Sequence, residues 1–295
     1  MHHTSAPRRR GQRGKSPETL QLIARAKSIL KEMHPHSVRG VCYQLFVNGW
    51  LRSMAKLDTD KVSRHLVWAR EEGYIPWEWI VDESRPDGHV SQWTDLAAYM
   101  KTVERAFRLD YWAQQPLRIQ VWSEKATVSG ILGPVLRAYG VDWCYVHGYN
   151  SATKVKEKAE ESLRDTRHLI VLYVGDYDCS GMHMSEYDLP RRLARYGGRV
   201  TLRRIALTAA DVATMDTLAY PAKRTDSRYT WYVTRYGTRA WEMDAMNPND
   251  LRARVEEAIQ VYIEWPTWER CKLIEDATKE TIRNLVPIIS RQATK

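Results

Sequence analysis

Two aspartates, Asp176 and Asp178, follow an almost unbroken apolar run that starts at His168. Such a run is typical of a β-strand buried on both faces. Side chains two residues apart at a strand end point to the same side, so both carboxylates should open into the crevice above the sheet edge. Gly181 permits a tight turn into the next helix. Because adjacent carboxylates repel each other unless a cation lies between them, this pattern predicts a site for Mg²⁺ or Mn²⁺.

A third acid, Glu124, ends an earlier predicted strand at residues 117–124. The carboxyl ends of parallel strands lie along one edge of a sheet. We therefore predict that Glu124, Asp176 and Asp178 form a carboxylate triad that holds the divalent ion. The alternative for the two aspartates is a solvated turn in which an aspartate caps the following helix.

Arg39 and Tyr43 form a second candidate pair. They are four residues apart, so on a helix they share one face. A guanidinium there could hold a phosphate and favour the phenolate of Tyr43, whose ordinary pKa is about 10. A phenol is a poor nucleophile without such help. The chain has 16 tyrosines, so the alternative is a core tyrosine. The Tyr-rich stretch 229–236 is the second place to look, and it otherwise reads as a β-hairpin with a basic outer face.

The elements that must position these residues fall into two groups. For residues 16–110 we predict a winged helix-turn-helix domain that binds DNA and carries Tyr43. Its predicted elements are helices beginning after Ser16, after Ser37 and near Asp58, a strand at 77–81 and a turn at 85–88. A further helix at 95–109 leads into the second group.

For residues 111–295 we predict an α/β domain, a parallel sheet flanked by helices. Strands are predicted at 117–122, 141–146, 168–174 and 199–207. The helices between and after them are predicted at 127–139, 152–164, 182–195 and 209–215. A short strand at 241–246 and helices at 248–263 and 268–289 follow. Regular alternation of this kind favours a parallel sheet covered on both faces, with the loops after its strands along one edge.

The positive charge is concentrated at the N-terminus. The formal net charge of the 295 residues is +9, and residues 1–15 contribute five cations and no acid. A basic arm of this composition cannot bury itself, so we predict that residues 1–15 are disordered. The arm can displace counterions from phosphates, which predicts contact with nucleic acid.

Composition excludes several classes of protein. No apolar run approaches the roughly 18 residues that a membrane span needs, so we expect no membrane partner. The basic N-terminus lacks the apolar core of a secretory signal. The four cysteines lie far apart, without the spacing of a zinc site or a disulfide framework. We therefore expect a reducing, cytoplasmic location.

A glutamate that ends a first strand, with Asp-x-Asp-x-x-Gly after a third, resembles the Toprim domain. Topoisomerases, bacterial primases, overcoming-lysogenization-defect nucleases and RecR-type recombination proteins share this domain. The resemblance covers residues 117–215. It implies that Glu124, Asp176 and Asp178 hold Mg²⁺ and that the chemistry takes place at phosphodiester bonds.

The order of the parts narrows the resemblance. The chain lacks the zinc modules of primases and RecR and the ATPase loop of the lysogenization-type nucleases. A winged helix before a Toprim domain is similar to the A subunit of topoisomerase VI and the related meiotic double-strand-break protein, in the short stand-alone mini-A form. Their helix reads roughly Arg-Asp-Ile-Tyr-Tyr, where this chain has Arg39-Gly40-Val41-Cys42-Tyr43. Arg39 and Tyr43 match, whereas Gly40 and Cys42 depart. The family's acidic-Ala-Leu strand resembles residues 242–246 here.

The resemblance implies a transesterase acting on double-stranded DNA. Tyr43 would attack a backbone phosphate and leave a 5′-phosphotyrosyl link, with Arg39 and the three acids as catalytic partners. A homodimer is implied, because in the family the tyrosine of one subunit meets the metal of the other. Strand passage would need a separate ATPase subunit. The resemblance also implies a protein associated with a nucleoid or with viral DNA. Two alternatives stay open: a metal-dependent hydrolytic nuclease in which Tyr43 is structural, and a non-enzymatic DNA-binding or bridging protein.

Overall fold

The computed structural model describes residues 15–80, 91–125, 127–146 and 152–293. The chain divides into two compact units, residues 1–81 and 82–295. Most of the predicted basic arm, residues 1–14, and the predicted turn at 85–88 lie outside the described residues.

Three helices form the first unit: α1 (Pro17–Met33), α2 (Val38–Val47) and α3 (Lys56–Glu71). The side chain of Ser16 accepts a hydrogen bond from the N–H of Thr19, and Ser37 caps α2 by accepting from Gly40. A serine cap satisfies a helical N–H that would otherwise lack a partner. Helices α1 and α2 therefore begin at the predicted caps, whereas α3 has no side-chain cap and begins at Lys56, close to the predicted Asp58.

The core of the first unit lies between these helices. Its most deeply buried side chains are Leu30, Val41, Leu45, Leu66 and Ile75. Buried residues recur every three or four positions on α1 (Ile23, Ala26 and Leu30) and on α3 (Val62, Leu66 and Ala69), which gives each helix one apolar face to pack against its neighbours.

The strand predicted at 77–81 is not formed by the described residues of that segment. Trp77–Trp79 is a 3₁₀ turn that starts at Pro76, and only Ile80 makes a single parallel bridge, to His36. Proline fixes a backbone angle that suits the start of a tight helical turn. The three helices agree with the prediction for this unit, but its winged-helix character is not confirmed.

A four-stranded parallel sheet is the centre of the second unit. Its strands are β1 (Leu117–Ser123), β2 (Asp142–Tyr145), β3 (His168–Val174) and β4 (Val200–Ala206). They are ordered β2-β1-β3-β4, and every neighbouring pair is parallel. The predicted α/β class and the flanking of the sheet by helices are confirmed.

The helices of the second unit follow the alternating pattern. Those before β4 are α4 (Leu96–Ala106), α5 (Thr127–Tyr139), α6 (Ala152–Leu163), α7 (Cys179–His183) and α8 (Leu189–Arg195). Those after it are α9 (Ala209–Thr214), α10 (Tyr229–Tyr236), α11 (Pro248–Gln260) and α12 (Trp265–Ala293). Helix α4 packs on α12, so the border predicted between residues 110 and 111 lies inside the second unit.

Helices cover both faces of the sheet. On β3, Ile170 and Leu172 belong to one hydrophobic cluster, whereas Val171 and Tyr173 belong to another. Successive side chains of a strand point to opposite faces. The strand is apolar at nearly every position because both of its faces are buried.

Three local predictions for the second unit are corrected. The helix predicted at 182–195 is interrupted by a π-helical turn, Met184–Asp188, between α7 and α8. The stretch 229–236 is the helix α10 and not a hairpin, because its apolar residues recur every three or four positions. In place of a strand at 241–246, a 3₁₀ turn, Met243–Ala245, follows the two-residue strand β6 (Arg239–Ala240), which pairs with β5 (Tyr220–Pro221).

No helix in the described ranges combines the length and the apolar character that crossing a membrane requires. The four cysteines are free thiols; Cys42, Cys179 and Cys271 are buried and Cys144 is partly buried.

Candidate functional site

The three predicted acids lie at the carboxyl edge of the sheet. Glu124 follows β1, and Asp176 and Asp178 follow the neighbouring strand β3. The ends of these strands are in register, with Ser123 opposite Val174. The backbone N–H of Asp176 donates to Oε1 of Glu124 at 3.1 Å, which joins the two loops directly. We call Glu124, Asp176 and Asp178 the acid triad.

The charges of the acid triad are crowded. Burial raises the pKa of Glu124, and the neighbouring charges of Asp176 and Asp178 raise it further. Burial also raises the pKa of Asp176, although Lys125 and the N–H of Met243 act in the opposite direction. Buried carboxylates that repel one another are stabilised by a cation.

Asp178 also caps a helix, in addition to being a member of the acid triad. Its Oδ1 accepts the N–H of Gly181 at 2.7 Å and so caps α7. The capping alternative is therefore realised for one oxygen of Asp178. Gly181 is required by close packing, since an added Cβ would lie 2.3 Å from the carbonyl oxygen of Asp176 and 3.2 Å from Oε1 of Glu124.

A lysine that the sequence did not single out lies beside the triad. The Nζ atom of Lys125 is 3.0 Å from Oδ1 of Asp176, 2.9 Å from Oδ2 of Asp244 and 3.7 Å from Oε2 of Glu242. Burial alone would lower the pKa of Lys125, but Asp244, Asp176 and Glu242 together raise it well above its ordinary value. We call these three carboxylates around Lys125 the lysine cage.

The segment that follows β6 is tied to the loop after β3. Tyr177 and Trp241 exchange two backbone hydrogen bonds of 2.9 Å. The N–H of Met243 donates to Oδ1 of Asp176 at 2.8 Å. Residues 242–246, in which the sequence resembles the acidic-Ala-Leu strand, therefore contact the acid triad, although they form a 3₁₀ turn.

Arg204 on β4 is a second residue that sequence reasoning missed. Its side chain is only 6% exposed. The guanidinium donates to the carbonyl oxygens of Gly175 at 2.9 Å, Gly181 at 2.8 Å and Leu207 at 3.0 Å. It thereby fixes both ends of the loop that carries Asp176 and Asp178. An arginine within a strand was the available signal, because a charge there needs a specific partner.

The Tyr-rich stretch 229–236 lies against the same loop. Tyr232 is fully buried, and its hydroxyl donates to the carbonyl oxygens of Tyr177 at 3.1 Å and Arg239 at 2.6 Å. Just before this stretch, Arg228 donates to Oγ of Ser180 at 3.2 Å. The hydroxyl of Tyr232 is thus occupied in holding the loop, which does not favour it as a nucleophile.

The chemistry of the acid triad fits a hard divalent ion, since its donors are carboxylate oxygens in a crowded, negatively charged setting. Yet no group of three or more His, Cys, Asp or Glu side chains in the described ranges is already arranged to hold a metal. The contacts explain why: Lys125 holds one oxygen of Asp176, and one oxygen of Asp178 caps α7. A divalent ion at the acid triad would have to be held by the oxygens that these two contacts leave, with Glu124, Asp176 and Asp178 as its ligands.

Arg39 and Tyr43 lie together on α2 in the first unit. The guanidinium carbon of Arg39 is 5.7 Å from the centre of the Tyr43 ring, as expected for one helical face. Arg39 is exposed, but Tyr43 is only 4% exposed. Gly40 packs against the imidazole of His36, and an added Cβ would lie 1.9 Å from its Cε1 atom. This packing accounts for glycine where the resembled motif has aspartate.

The structure thus brings the predicted residues together in two sets, the acid triad in the second unit and Arg39 with Tyr43 in the first. No protein-family model matches the chain, and no curated protein matches it.

Proposed function

We propose that the chain cleaves double-stranded DNA by magnesium-dependent transesterification, in the manner of the topoisomerase VI A subunit. The observation that carries this proposal is the convergence of Glu124, Asp176 and Asp178 at one edge of a parallel sheet, where their crowded charges favour a divalent cation. The Toprim resemblance connects such a triad with phosphodiester chemistry.

In the proposed reaction the phenolic oxygen of Tyr43 attacks a DNA phosphate. A bond forms between this oxygen and phosphorus as the phenol loses its proton, and the bond from phosphorus to the 3′ oxygen breaks, so that the DNA end leaves as a 3′ hydroxyl after taking up a proton. The exposed guanidinium of Arg39, on the same helical face, holds the phosphate and neutralises its charge. Magnesium bound by the triad would supply charge stabilisation at the leaving oxygen. The 5′-phosphotyrosyl link conserves the bond energy, so the break can be resealed.

The proposal includes a first unit of winged-helix type that binds duplex DNA, assisted by the basic arm. Five cations of residues 1–15 would contact phosphates without reading base sequence. It also includes a homodimer, in which each Tyr43 works with the partner's triad and both strands are cut. Strand passage would require a separate ATPase subunit.

A specific observation favours a second candidate, a metal-dependent hydrolytic nuclease. Tyr43 is almost fully buried, and a buried phenol is poorly placed to meet a phosphate. In this candidate the acid triad carries the reaction, water is the nucleophile, and Tyr43 only packs α2 into its unit.

One experiment separates the two candidates. Supercoiled DNA is incubated with the protein and Mg²⁺, the reaction is stopped with detergent, and protein-linked DNA is collected. Transesterification predicts breaks whose 5′ ends carry protein, lost in Tyr43→Phe. Breaks with free 5′ phosphates that persist in Tyr43→Phe would establish the nuclease instead. Intact DNA with both Mg²⁺ and Mn²⁺ would contradict both.

A further inference from the structure

Asp176 belongs to two groups of carboxylates at once. In the acid triad, its charge and those of its neighbours raise the pKa of Glu124. In the lysine cage, it shares the ammonium of Lys125 with Asp244 and Glu242, at N–O distances between 2.9 and 3.7 Å. The acid triad and the lysine cage together contain five acids, because they share Asp176. The ammonium of Lys125 already occupies the cage, whereas the triad is the proposed site of the divalent ion.

The two carboxylate oxygens of Asp176 have different contacts. Oδ1 accepts both Nζ of Lys125 at 3.0 Å and the N–H of Met243 at 2.8 Å. Within the described ranges, Oδ2 of Asp176 accepts no hydrogen bond. Asp176 can therefore face the lysine cage with one oxygen and a divalent ion with the other.

Lys125 is held firmly in the cage. The side chain of Asp244 is only 3% exposed, and it lies 2.9 Å from Nζ. If Lys125 turned away, Asp244 would become an uncompensated buried charge, which is strongly unfavourable. Displacement of Lys125 by a metal ion at the acid triad would therefore be energetically unfavourable.

We propose that Lys125 is a built-in cation that takes the place of a second divalent ion, so that each chain binds one Mg²⁺ or Mn²⁺ and not two. This inference rests on the proposed metal site of the acid triad. It assigns Lys125 as a positioning residue that fixes Oδ1 of Asp176 and leaves Oδ2 for the metal.

The number of bound ions tests the inference without any measurement of activity. The full chain is titrated with Mn²⁺, and the free ion is counted by EPR spectroscopy. We expect one bound Mn²⁺ per wild-type chain. Two ions per wild-type chain would overturn the inference while leaving the proposed function in place. No bound ion would instead remove the metal site of the proposed function, and the inference with it.

Variants of the lysine provide the second part of the test. Lys125→Met empties the cage and should raise the count to two, whereas Lys125→Arg keeps the positive charge and should leave it at one. Lys158→Met is the matched control, since Lys158 is a similarly shielded lysine paired with Glu161 at 2.7 Å on α6. A count of one in folded Lys125→Met would overturn the inference.

The position of Lys125 in the metal-bound protein gives a measurement that does not depend on the stability of a variant. Anomalous diffraction from crystals of the manganese-loaded wild type should show one peak beside the acid triad, with Lys125 still in contact with Asp244. A peak inside the cage, with Lys125 turned away, would overturn the inference.

Discussion

The acid triad and the Arg39–Tyr43 pair are built by different physical rules. The triad comes together because β1 and β3 are parallel neighbours whose loops leave at one edge. The pair shares a face simply because four residues span about one helical turn. Sheet topology fixes both the proximity and the direction of the acids, whereas helical spacing brings Arg39 to Tyr43 but does not decide whether the tyrosine meets solvent.

The largest expected effect is the loss of DNA cleavage when either region is changed. We expect Asp176→Asn and Glu124→Gln to reduce DNA cleavage at least about 100-fold, because each removes a charge that would hold the metal. Tyr43→Phe should remove protein-linked DNA to the same extent. Gel analysis of supercoiled DNA measures both losses. Full cleavage by Asp176→Asn would contradict the role given to the triad.

Arg204 should be the largest contributor to the stability of the triad's loop. Arg204→Met leaves three carbonyl oxygens without a charged donor, and we expect it to lower the free energy of unfolding by about 3–5 kcal/mol. Arg203→Met is the matched control, because Arg203 is the exposed neighbour on the same strand. Urea denaturation measures both variants. Equal effects would show that Arg204 does not hold the loop.

Two glycines test the close packing of the two regions. Gly181→Ala places a Cβ against the Asp176 backbone, and Gly40→Ala places one against the buried ring of His36. We expect each to lower the free energy of unfolding by about 1–3 kcal/mol, and only Gly181→Ala to weaken the binding of Mn²⁺.

A third glycine serves as the control for these substitutions. In Gly133→Ala the added Cβ meets only the mobile end of Arg137, so we expect no loss of stability. Thermal unfolding of the three variants, together with a Mn²⁺ titration, measures the set. Weakened Mn²⁺ binding in Gly40→Ala would contradict the separation of the two regions.

The stability of the protein should also depend on pH in the presence of a chelator. Burial raises the pKa of Glu124 from its ordinary value of 4.5 to about 7, with Asp176 and Asp178 adding to the effect. The folded protein then binds a proton more tightly than the unfolded chain. This stabilisation is present below pH 4.5 and is lost as the pH rises through about 7.

We expect the loss to amount to about 1–3 kcal/mol in the free energy of unfolding. In Glu124→Gln this part of the pH dependence should vanish, and Mg²⁺ should suppress it in the wild type. Denaturation curves between pH 4.5 and 8 measure it. The contrary result would be a Glu124→Gln profile that parallels the wild type.

Much of the sheet and of the triad was predictable from sequence. The apolar run of β3 and the alternation of strands and helices are local patterns, and the shared edge of parallel strands is a general rule. These patterns placed Glu124 beside Asp176 correctly. The π-helical turn between α7 and α8 could not be predicted, because no local pattern of residues in the sequence marks it.

Other features depend on contacts that no local pattern reveals. Lys125 meets Asp244, a residue 119 positions away in the chain. The strand predicted at 77–81 rested on alternating residues, but Pro76 starts a 3₁₀ turn there. The stretch 229–236 was predicted as a hairpin, although Tyr229, Tyr232 and Tyr236 follow the helical period of α10.

Binding of Mn²⁺ by the intact chain decides whether the acid triad is a metal site. EPR titration is performed on the wild type and on a variant in which Glu124, Asp176 and Asp178 are replaced by Gln, Asn and Asn. We expect saturable binding in the wild type and none in the folded triple variant. Equal binding by both proteins would contradict a metal site at this edge of the sheet.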